Sequence, residues 1–123
     1  MRLHTYKDLV VWQKAMELVV LIYELTEKFP RSELYGLTSQ MRRAAISIPS
    51  NIAEGRRRGS KKEFLHFLLN AYGSGAELET QLEIAKKLPE TRNLDYNKIN
   101  SLLEEIMKML NRMIKSLKPK STT

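Results

Sequence analysis

Cysteine is absent from this 123-residue chain, which excludes disulfide bonds and thiolate metal sites and fits a reducing compartment. Long apolar runs are absent as well. The most apolar segment runs from Leu18 to Tyr23, lies between two glutamates and is far too short to span a bilayer. The first eight residues lack the apolar stretch of a signal peptide, so we expect a cytoplasmic protein with no membrane partner.

The residues that are present are typical of a folded globular domain. Hydrophobic residues make up 42% and charged residues 28% of the chain. We predict one domain over residues 1–117 and a disordered tail at 118–123. The net charge of +7 is unevenly distributed: residues 31–62 contain eight basic and two acidic side chains, whereas residues 63–90 contain two and five. Such segregation favours a polyanionic partner.

Apolar residues recur at spacings of three and four, and no segment alternates as a strand would. The pattern predicts an all-α protein, an antiparallel up-down-up-down four-helix bundle. Thr5 with Asp8, and Ser60 with Glu63, form capping-box pairs at the first and third helices. Gly55 is predicted to end the second helix in the left-handed conformation. The predicted helices run from Tyr6 to Phe29, Glu33 to Glu54, the Ser60 cap to Leu88, and Asp95 to Leu117.

The second predicted helix contains an interior proline, Pro49. An interior proline costs about 3 kcal/mol in lost hydrogen bonding and ring clash. The helical spacing nevertheless passes through it, so we predict a helix with a kink at Pro49. The apolar positions that define this spacing are Leu34, Leu37, Met41, Ala45, Ile48 and Ile52.

The first predicted helix is apolar over a wider band than one bundle core needs. Val20 and Leu21 lie outside both of its apolar seams. A lone subunit would expose part of this band, so we expect sister copies to cover it and no appreciable monomer at micromolar concentration. The first seam is Leu9, Trp12, Met16, Val19 and Tyr23, and the second is Val11, Ala15, Leu18, Ile22, Leu25 and Phe29.

Small residues mark a second predicted contact. The third helix contains Gly73 to Ala76 in mid-span, and the second contains Ala44, Ala45 and Ser47. A glycine inside a helix costs about 1 kcal/mol relative to alanine, so such residues need a packing reason. We predict that the second and third helices approach closely at these positions, and a ligand cleft is the alternative.

The sequence offers little for catalysis. The two histidines are His4 and His66, and Glu63 with His66 gives a single Glu-x-x-His pair, whereas di-iron bundles need two such pairs and further carboxylates. No phosphate-loop string and no convincing Ser-His-Asp set is present. We therefore predict no catalytic residues, no metal and no cofactor.

A polar row lies beside the apolar face of the second helix. Arg43 is expected to pair with one of the glutamates of the third helix, such as Glu77, Glu79 or Glu83. The main interpretation is a structural ion and amide network at a helix or subunit contact, because buried networks of this kind are costly to break. A ligand-binding or catalytic role is the alternative. The predicted network comprises Gln40, Arg43, Ser47, Asn51, Glu54 and Glu77.

A run of positive charge follows Gly55 and is predicted to form the turn between the second and third helices. Such a run is often only a solvated loop, but it also suits nucleic-acid phosphates, or an acidic protein or membrane surface. No aromatic residues interleave with the arginines, so shape and charge should dominate any nucleic-acid binding. The predicted nucleic-acid-binding residues are Arg42, Arg56, Arg57, Arg58, Lys61 and Lys62.

The chain resembles the bacterial four-helix-bundle family named after proteins encoded within intervening sequences of large-subunit ribosomal RNA genes. The resemblance implies a ring-like homopentamer, no established enzymatic activity and, by gene location alone, a connection with ribosomal RNA. A more distant similarity is to the pentameric accessory protein of diversity-generating retroelements, which works with a reverse transcriptase. The chain departs from the family pattern at Gly75, where a bulky apolar residue is expected, and in the richness of its arginine turn. The resemblance rests on Asp8 to Ala15, Phe29-Pro30, Glu33 to Leu37, Gln40 to Ala45, Ser47 to Gly55 and Glu77 to Leu82.

Three functional hypotheses follow from these features. The first is a non-enzymatic homo-oligomer that binds RNA or DNA backbones, since five copies would carry a charge of about +35. The second is a protein-interaction scaffold or accessory subunit, for example of a reverse transcriptase. The third, an enzyme, would need a metal or substrate around Asn51 and Glu54.

Overall fold

A computed structural model describes residues 5–119 as an all-α four-helix bundle. A 3-10 turn, Tyr6–Asp8, precedes the four long helices, and no strand occurs within residues 5–119. The all-α class and the four helices are therefore confirmed. The helices are α1, Val10–Thr26; α2, Ser39–Arg58; α3, Lys61–Ala85; and α4, Asn97–Leu117.

One apolar seam from each helix fills the core. In α1 the buried seam is the second of the two predicted ones, from Val11 through Leu18 to Phe29, just beyond the helix. The spacing of three and four places these side chains on one face, which lets α1 bury them without burying its charged residues. The largest fully buried side chains are Val11, Leu18, Ile22, Met41, Ile48, Ile52, Leu68, Leu78, Leu82, Leu103, Ile106 and Leu110.

α2 and α3 run in opposite directions along the bundle. Near the end of α2, Gly55 lies against Phe67 of α3, whereas Ser47, two turns earlier, lies 2.8 Å from Ser74 through their hydroxyl oxygens. Because the position on α3 rises as that on α2 falls, the two helices are antiparallel. α1 and α4 also contact each other, through packing and a Lys14–Glu105 ion pair, which completes the bundle.

The close approach of α2 and α3 is confirmed at Ser47, but two of the glycines have other roles. A side chain at Gly75 would collide with Met107 of α4, and a Cβ at Gly73 would meet no atom within 4 Å. α2 and α3 also approach closely at Gly55, where a Cβ would lie 2.6 Å from Cβ of Phe67. Gly75 thus accommodates a bulky side chain from the neighbouring helix.

The predicted bounds of α2 are wrong at both ends. It begins at Ser39, because a 3-10 turn at Arg31–Glu33 and a π-helical turn at Leu34–Thr38 precede it. It continues beyond Gly55 to Arg58, and Gly59 adopts the left-handed conformation, with φ of 86°. Gly55 is buried and helical, so its small size serves packing and Gly59 supplies the C-terminal turn.

The other helices are shorter than predicted. The Thr5–Asp8 capping box is present but closes the 3-10 turn, so α1 starts only at Val10; it ends at Thr26 rather than Phe29. Ser60 caps α3 as predicted, accepting a hydrogen bond from the Glu63 amide at 3.1 Å, but α3 ends before Leu88. α4 begins two residues after Asp95.

Two further predictions stay predictions. α2 is continuous across the buried Pro49, and the kink there stays a prediction. α4 ends at Leu117 before Pro119, whereas residues 120–123 of the predicted disordered tail lie outside the described residues.

The connection between α3 and α4 depends on two buried hydroxyl groups. The Tyr96 hydroxyl donates to the Thr91 carbonyl at 2.8 Å, and the Thr91 hydroxyl donates to the Ala85 carbonyl at 2.6 Å. We expect Tyr96→Phe to lower the free energy of unfolding by about 0.5–1.5 kcal/mol, because it removes the shorter of two hydrogen bonds to the Thr91 carbonyl, which then keeps only the Leu94 amide at 3.3 Å. Urea denaturation of both proteins at one concentration measures this; an unchanged midpoint would show that the bond adds nothing.

Candidate nucleic-acid interface

Five cationic side chains meet at one corner of the bundle, where α2 ends and α3 begins. We call Arg56, Arg57, Arg58, Lys61 and Lys62 the basic corner; all five are exposed. The three arginines form the last turn of α2 rather than a loop, which corrects the sequence-based prediction. Positive charge in a last helical turn is favoured by the macrodipole, so the helix can hold the arginines in fixed directions.

Only one of the five cations is neutralised within residues 5–119. Arg58 donates from Nε to Glu54 at 3.1 Å, and its Nη1 lies 3.5 Å from Glu63. These exposed pairs add little to stability, but they reduce the local charge of Arg58. The other four side chains have no acidic partner within 4.0 Å in the described part of the chain. Four free cations therefore face solvent together.

Aromatic rings lie beside two of the arginines, contrary to the sequence-based prediction. Cζ of Arg57 is 5.6 Å from the centre of the Tyr6 ring, and Cζ of Arg58 is 5.1 Å from that of Phe67. Both distances are within the range of cation–π attraction. Phe67 could have been found from the antiparallel α2–α3 register. Tyr6 could not, because only the fold brings residue 6 to the end of α2.

Arg42 lies apart from the basic corner. Its Nε donates to the Thr26 hydroxyl at 2.9 Å, Nη2 contacts Glu27 at 3.4 Å, and Cζ lies 4.3 Å from the Tyr23 ring centre. Fourteen residues of helix separate it from Arg56, a rise of about 21 Å. The geometry gives Arg42 an intramolecular role that joins α2 to the end of α1, and we do not include it in the interface.

The predicted polar row divides into separate parts. Asn51 donates from Nδ2 to the Ser47 carbonyl at 2.8 Å and to its hydroxyl at 2.9 Å, and Ser47 contacts Ser74. Glu54 instead contacts Arg58, at the basic corner. The predicted ion pair between Arg43 and a glutamate of α3 is not formed within residues 5–119.

The remaining members of the row line a polar cleft of about 540 Å³. Tyr35, whose side chain is 93% exposed, lies at this cleft because the π-helical turn Leu34–Thr38 directs it away from the core. Gln81 on α3 is buried, and its Oε1 has no hydrogen-bond partner among the described residues. The cleft is lined by Tyr35, Ser39, Gln40, Arg43, Ala44, Ser47 and Glu77.

The predicted surplus of apolar surface on α1 is present. Part of the first seam lies on the surface, with Met16 and Tyr23 exposed, and Val20 is 56% exposed, whereas Leu21 packs against the core. Next to this seam is a groove of about 300 Å³ between α1 and α2. We call it the α1–α2 groove; it is lined by Tyr6, Trp12, Met16, Val19, Ile46, Pro49, Ser50 and Ala53.

A second uncharged surface lies on the outer face of α3. Leu69, Tyr72 and Ile84 are exposed large apolar side chains. Gly73, Ala76 and Thr80 are exposed between them at helical spacing. We call these six residues the α3 stripe.

Residues 5–119 contain no group of three or more His, Cys, Asp or Glu side chains placed to hold a metal ion, and His4 lies outside them. Glu63, from the predicted Glu-x-x-His pair, contacts Arg58, whereas His66 packs edge-on to Phe67. None of the helices in this part of the chain is long and apolar enough to cross a membrane.

The fold and its charged end define a four-helix-bundle protein with a concentrated basic surface. The family model for 23S rRNA-intervening sequence proteins matches residues 7–112, and the chain belongs to that family. A solved structure from Bacteroides thetaiotaomicron, a protein of unknown function from the S23 ribosomal protein family, is similar, with a TM-score of 0.75 and 28% identity. The match covers 86% of this chain and 99% of that one. Among curated proteins, no relative matches.

Proposed function

We propose that this protein is a non-enzymatic homo-oligomer, a pentamer as the family resemblance implies, that binds RNA or DNA backbones through its basic corners. The observation that carries the proposal is the set of four exposed cations that have no acidic partner within residues 5–119, Arg56, Arg57, Lys61 and Lys62. When such side chains bind phosphates, counterions are released from the nucleic acid. This electrostatic contribution to affinity does not depend on base sequence, so binding needs no base-specific contact.

Assembly is supported by two different uncharged surfaces on each protomer. The α1–α2 groove and the α3 stripe lie on different helices, and neither is covered within residues 5–119. A contact between unlike surfaces is head-to-tail, and such contacts close into rings when the rotation permits. A ring repeats each basic corner at regular intervals, and a long polyanion can then contact several corners at once.

Titration of a labelled, structured RNA at 50 mM and 200 mM salt tests the proposed function. We expect the Arg56→Ala, Arg57→Ala, Arg58→Ala triple variant to bind at least about tenfold more weakly. We also expect the slope of log affinity against log salt to become shallower by about two to three, because up to three phosphate contacts are lost.

The matched control replaces three exposed cations on α4, Lys108, Arg112 and Lys115, by alanine. It removes the same formal charge at another place, and we expect a much smaller loss of affinity. Equal losses in the two triple variants would mean that net charge, rather than the basic corner, binds RNA. Equally weak binding by wild type and the corner variant would exclude the nucleic-acid function.

A second candidate is a protein-interaction scaffold or accessory subunit, for example of a reverse transcriptase. It is favoured by the exposed Tyr35 beside the polar cleft, because a large aromatic side chain on a surface is typical of contact hot spots. A reverse-transcriptase gene beside this one would favour this role, whereas a position within a ribosomal RNA gene would favour RNA binding.

A further inference from the structure

Arg57 differs from the other cations of the basic corner, because it alone combines an aromatic ring contact with the lack of an acidic partner within residues 5–119; Arg58 also lies near a ring but is paired with two glutamates. Its Cζ lies 5.6 Å from the centre of the Tyr6 ring, whereas Arg56, Lys61 and Lys62 have no ring contact within residues 5–119. A guanidinium is planar and stacks on aromatic faces, unlike the ammonium group of lysine. Arg57 is exposed, so the rest of its planar group is open to solvent.

The ring beneath Arg57 is held in place by several contacts. The 3-10 turn around Tyr6 is closed by the Thr5 amide, which donates to Asp8 Oδ2 at 3.1 Å, and by the Lys7 amide, which donates to the Thr5 hydroxyl at 3.2 Å. The Gln13 side chain donates to the Lys7 carbonyl at 2.8 Å, which fixes the turn to α1. The ring also meets Trp12 edge-to-face, with 5.3 Å between ring centres. A side chain restrained in this way loses little conformational freedom when a ligand binds.

We infer that the Arg57–Tyr6 pair is a stacking platform for an unpaired nucleobase, so that the basic corner prefers single-stranded to duplex nucleic acid. This inference rests on the proposed function. A base stacks on the exposed face of the Arg57 guanidinium, and Arg56, Lys61 and Lys62 bind the flanking phosphates. Arginine planes and aromatic rings are the surfaces on which proteins stack unpaired bases.

The preference separates stacking from simple charge attraction. Duplex DNA carries one negative charge per about 1.7 Å of helix axis, a higher density than a single strand, so charge alone favours the duplex. In a duplex, however, both faces of each base are covered by neighbouring bases, and only an unpaired base offers a free face. Tighter binding of the single strand therefore requires a contact other than the phosphates.

The test compares Arg57→Lys with Arg56→Lys. Both variants keep the positive charge in the same helical turn, but only the first loses a guanidinium that lies over a ring. Binding is measured by fluorescence anisotropy with a labelled 12-nucleotide oligo-dT and with a duplex of the same length in the same salt. We expect Arg57→Lys to weaken single-strand binding about tenfold and duplex binding less than about twofold, since stacking contributes about 1–3 kcal/mol per base. Arg56→Lys should change neither by more than about twofold.

Trp12 provides a second measurement. It is the only tryptophan, and its ring contacts Tyr6, so we expect oligo-dT to quench its fluorescence more than the duplex does. Because Tyr6 also lines the α1–α2 groove, each variant is first shown to have the wild-type mass in solution.

Each contrary result has a distinct meaning. Equal effects of the two lysine variants, or tighter binding of the duplex by the wild type, would overturn the stacking platform and leave the proposed phosphate binding intact. Failure of the wild type to bind either oligonucleotide would overturn the proposed function itself, and the platform with it.

Discussion

A glutamate in place of Ile46 is expected to convert the proposed homo-oligomer into a monomer of 14.3 kDa. Ile46 lines the α1–α2 groove, and its side chain is 41% exposed in the single chain. The substitution therefore leaves the core of the protomer unchanged. If a second copy covers the groove, however, the carboxylate must be buried without a partner, which costs several kcal/mol. That cost is repeated at every interface of a ring.

Light scattering with size-exclusion chromatography measures the effect. At micromolar concentration the molecular mass of the wild type is expected to be about five times 14.3 kDa, and that of the variant about 14.3 kDa. Val10→Glu is the matched control, because Val10 is 51% exposed on α1 and does not line the groove. A monomeric wild type, or an Ile46→Glu variant that keeps the full mass, would contradict assembly through this surface.

Alanine at Gly55 should destabilise the protein more than alanine at Gly75, although both positions are crowded. At Gly55 the new methyl group would lie 2.6 Å from Cβ of Phe67, and that atom is attached to the α3 backbone. The two helices must therefore separate. At Gly75 the obstructing atoms belong to the thioether end of Met107, which can adopt another rotamer.

The magnitudes follow from two opposing terms. Overpacking costs about 1–3 kcal/mol, and replacing a helical glycine by alanine returns up to about 1 kcal/mol. We expect Gly55→Ala to lower the free energy of unfolding by about 1–2 kcal/mol and the melting temperature by about 4–8 °C. For Gly75→Ala we expect a free energy of unfolding within about 1 kcal/mol of the wild-type value. In the Ile46→Glu background, which is expected to be monomeric, Gly73→Ala is the control and should be neutral or stabilising, because a Cβ there meets no atom of the same chain within 4 Å.

Thermal unfolding must be compared at one protein concentration, because dissociation contributes to the transition of an oligomer. An equal loss of stability in Gly55→Ala and Gly75→Ala would mean that the Met107 side chain yields no more easily than the backbone of α3. A stabilised Gly55→Ala would mean that α2 and α3 can move apart without cost.

Helical periodicity was sufficient to predict the four helices and the two apolar seams of α1, because a spacing of three and four fixes which side chains share a face; only the fold shows which seam is buried. The surplus of apolar width on α1 was predictable for the same reason, although Leu21, predicted to lie in that surplus, packs against the core. Local sequence was less reliable at helix ends. Gly55 and Gly59 both lie near the end of α2. Gly55 packs against Phe67 and Gly59 ends the helix, and the sequence does not show which glycine has which role, because the position of Phe67 depends on the fold.

Sequence alone therefore determined the helical class, the surplus apolar band and the presence of five clustered cations, since these depend on residue type and spacing along the chain. The tertiary structure decided how those cations are used. In the fold, Arg42 contacts Thr26 and Glu27 instead of joining the basic corner. Arg58 is paired with two glutamates, and Tyr6 lies beside Arg57. The Arg57–Tyr6 contact joins residues 57 − 6 = 51 positions apart, so it depends on how the helices pack, and no local pattern encodes it.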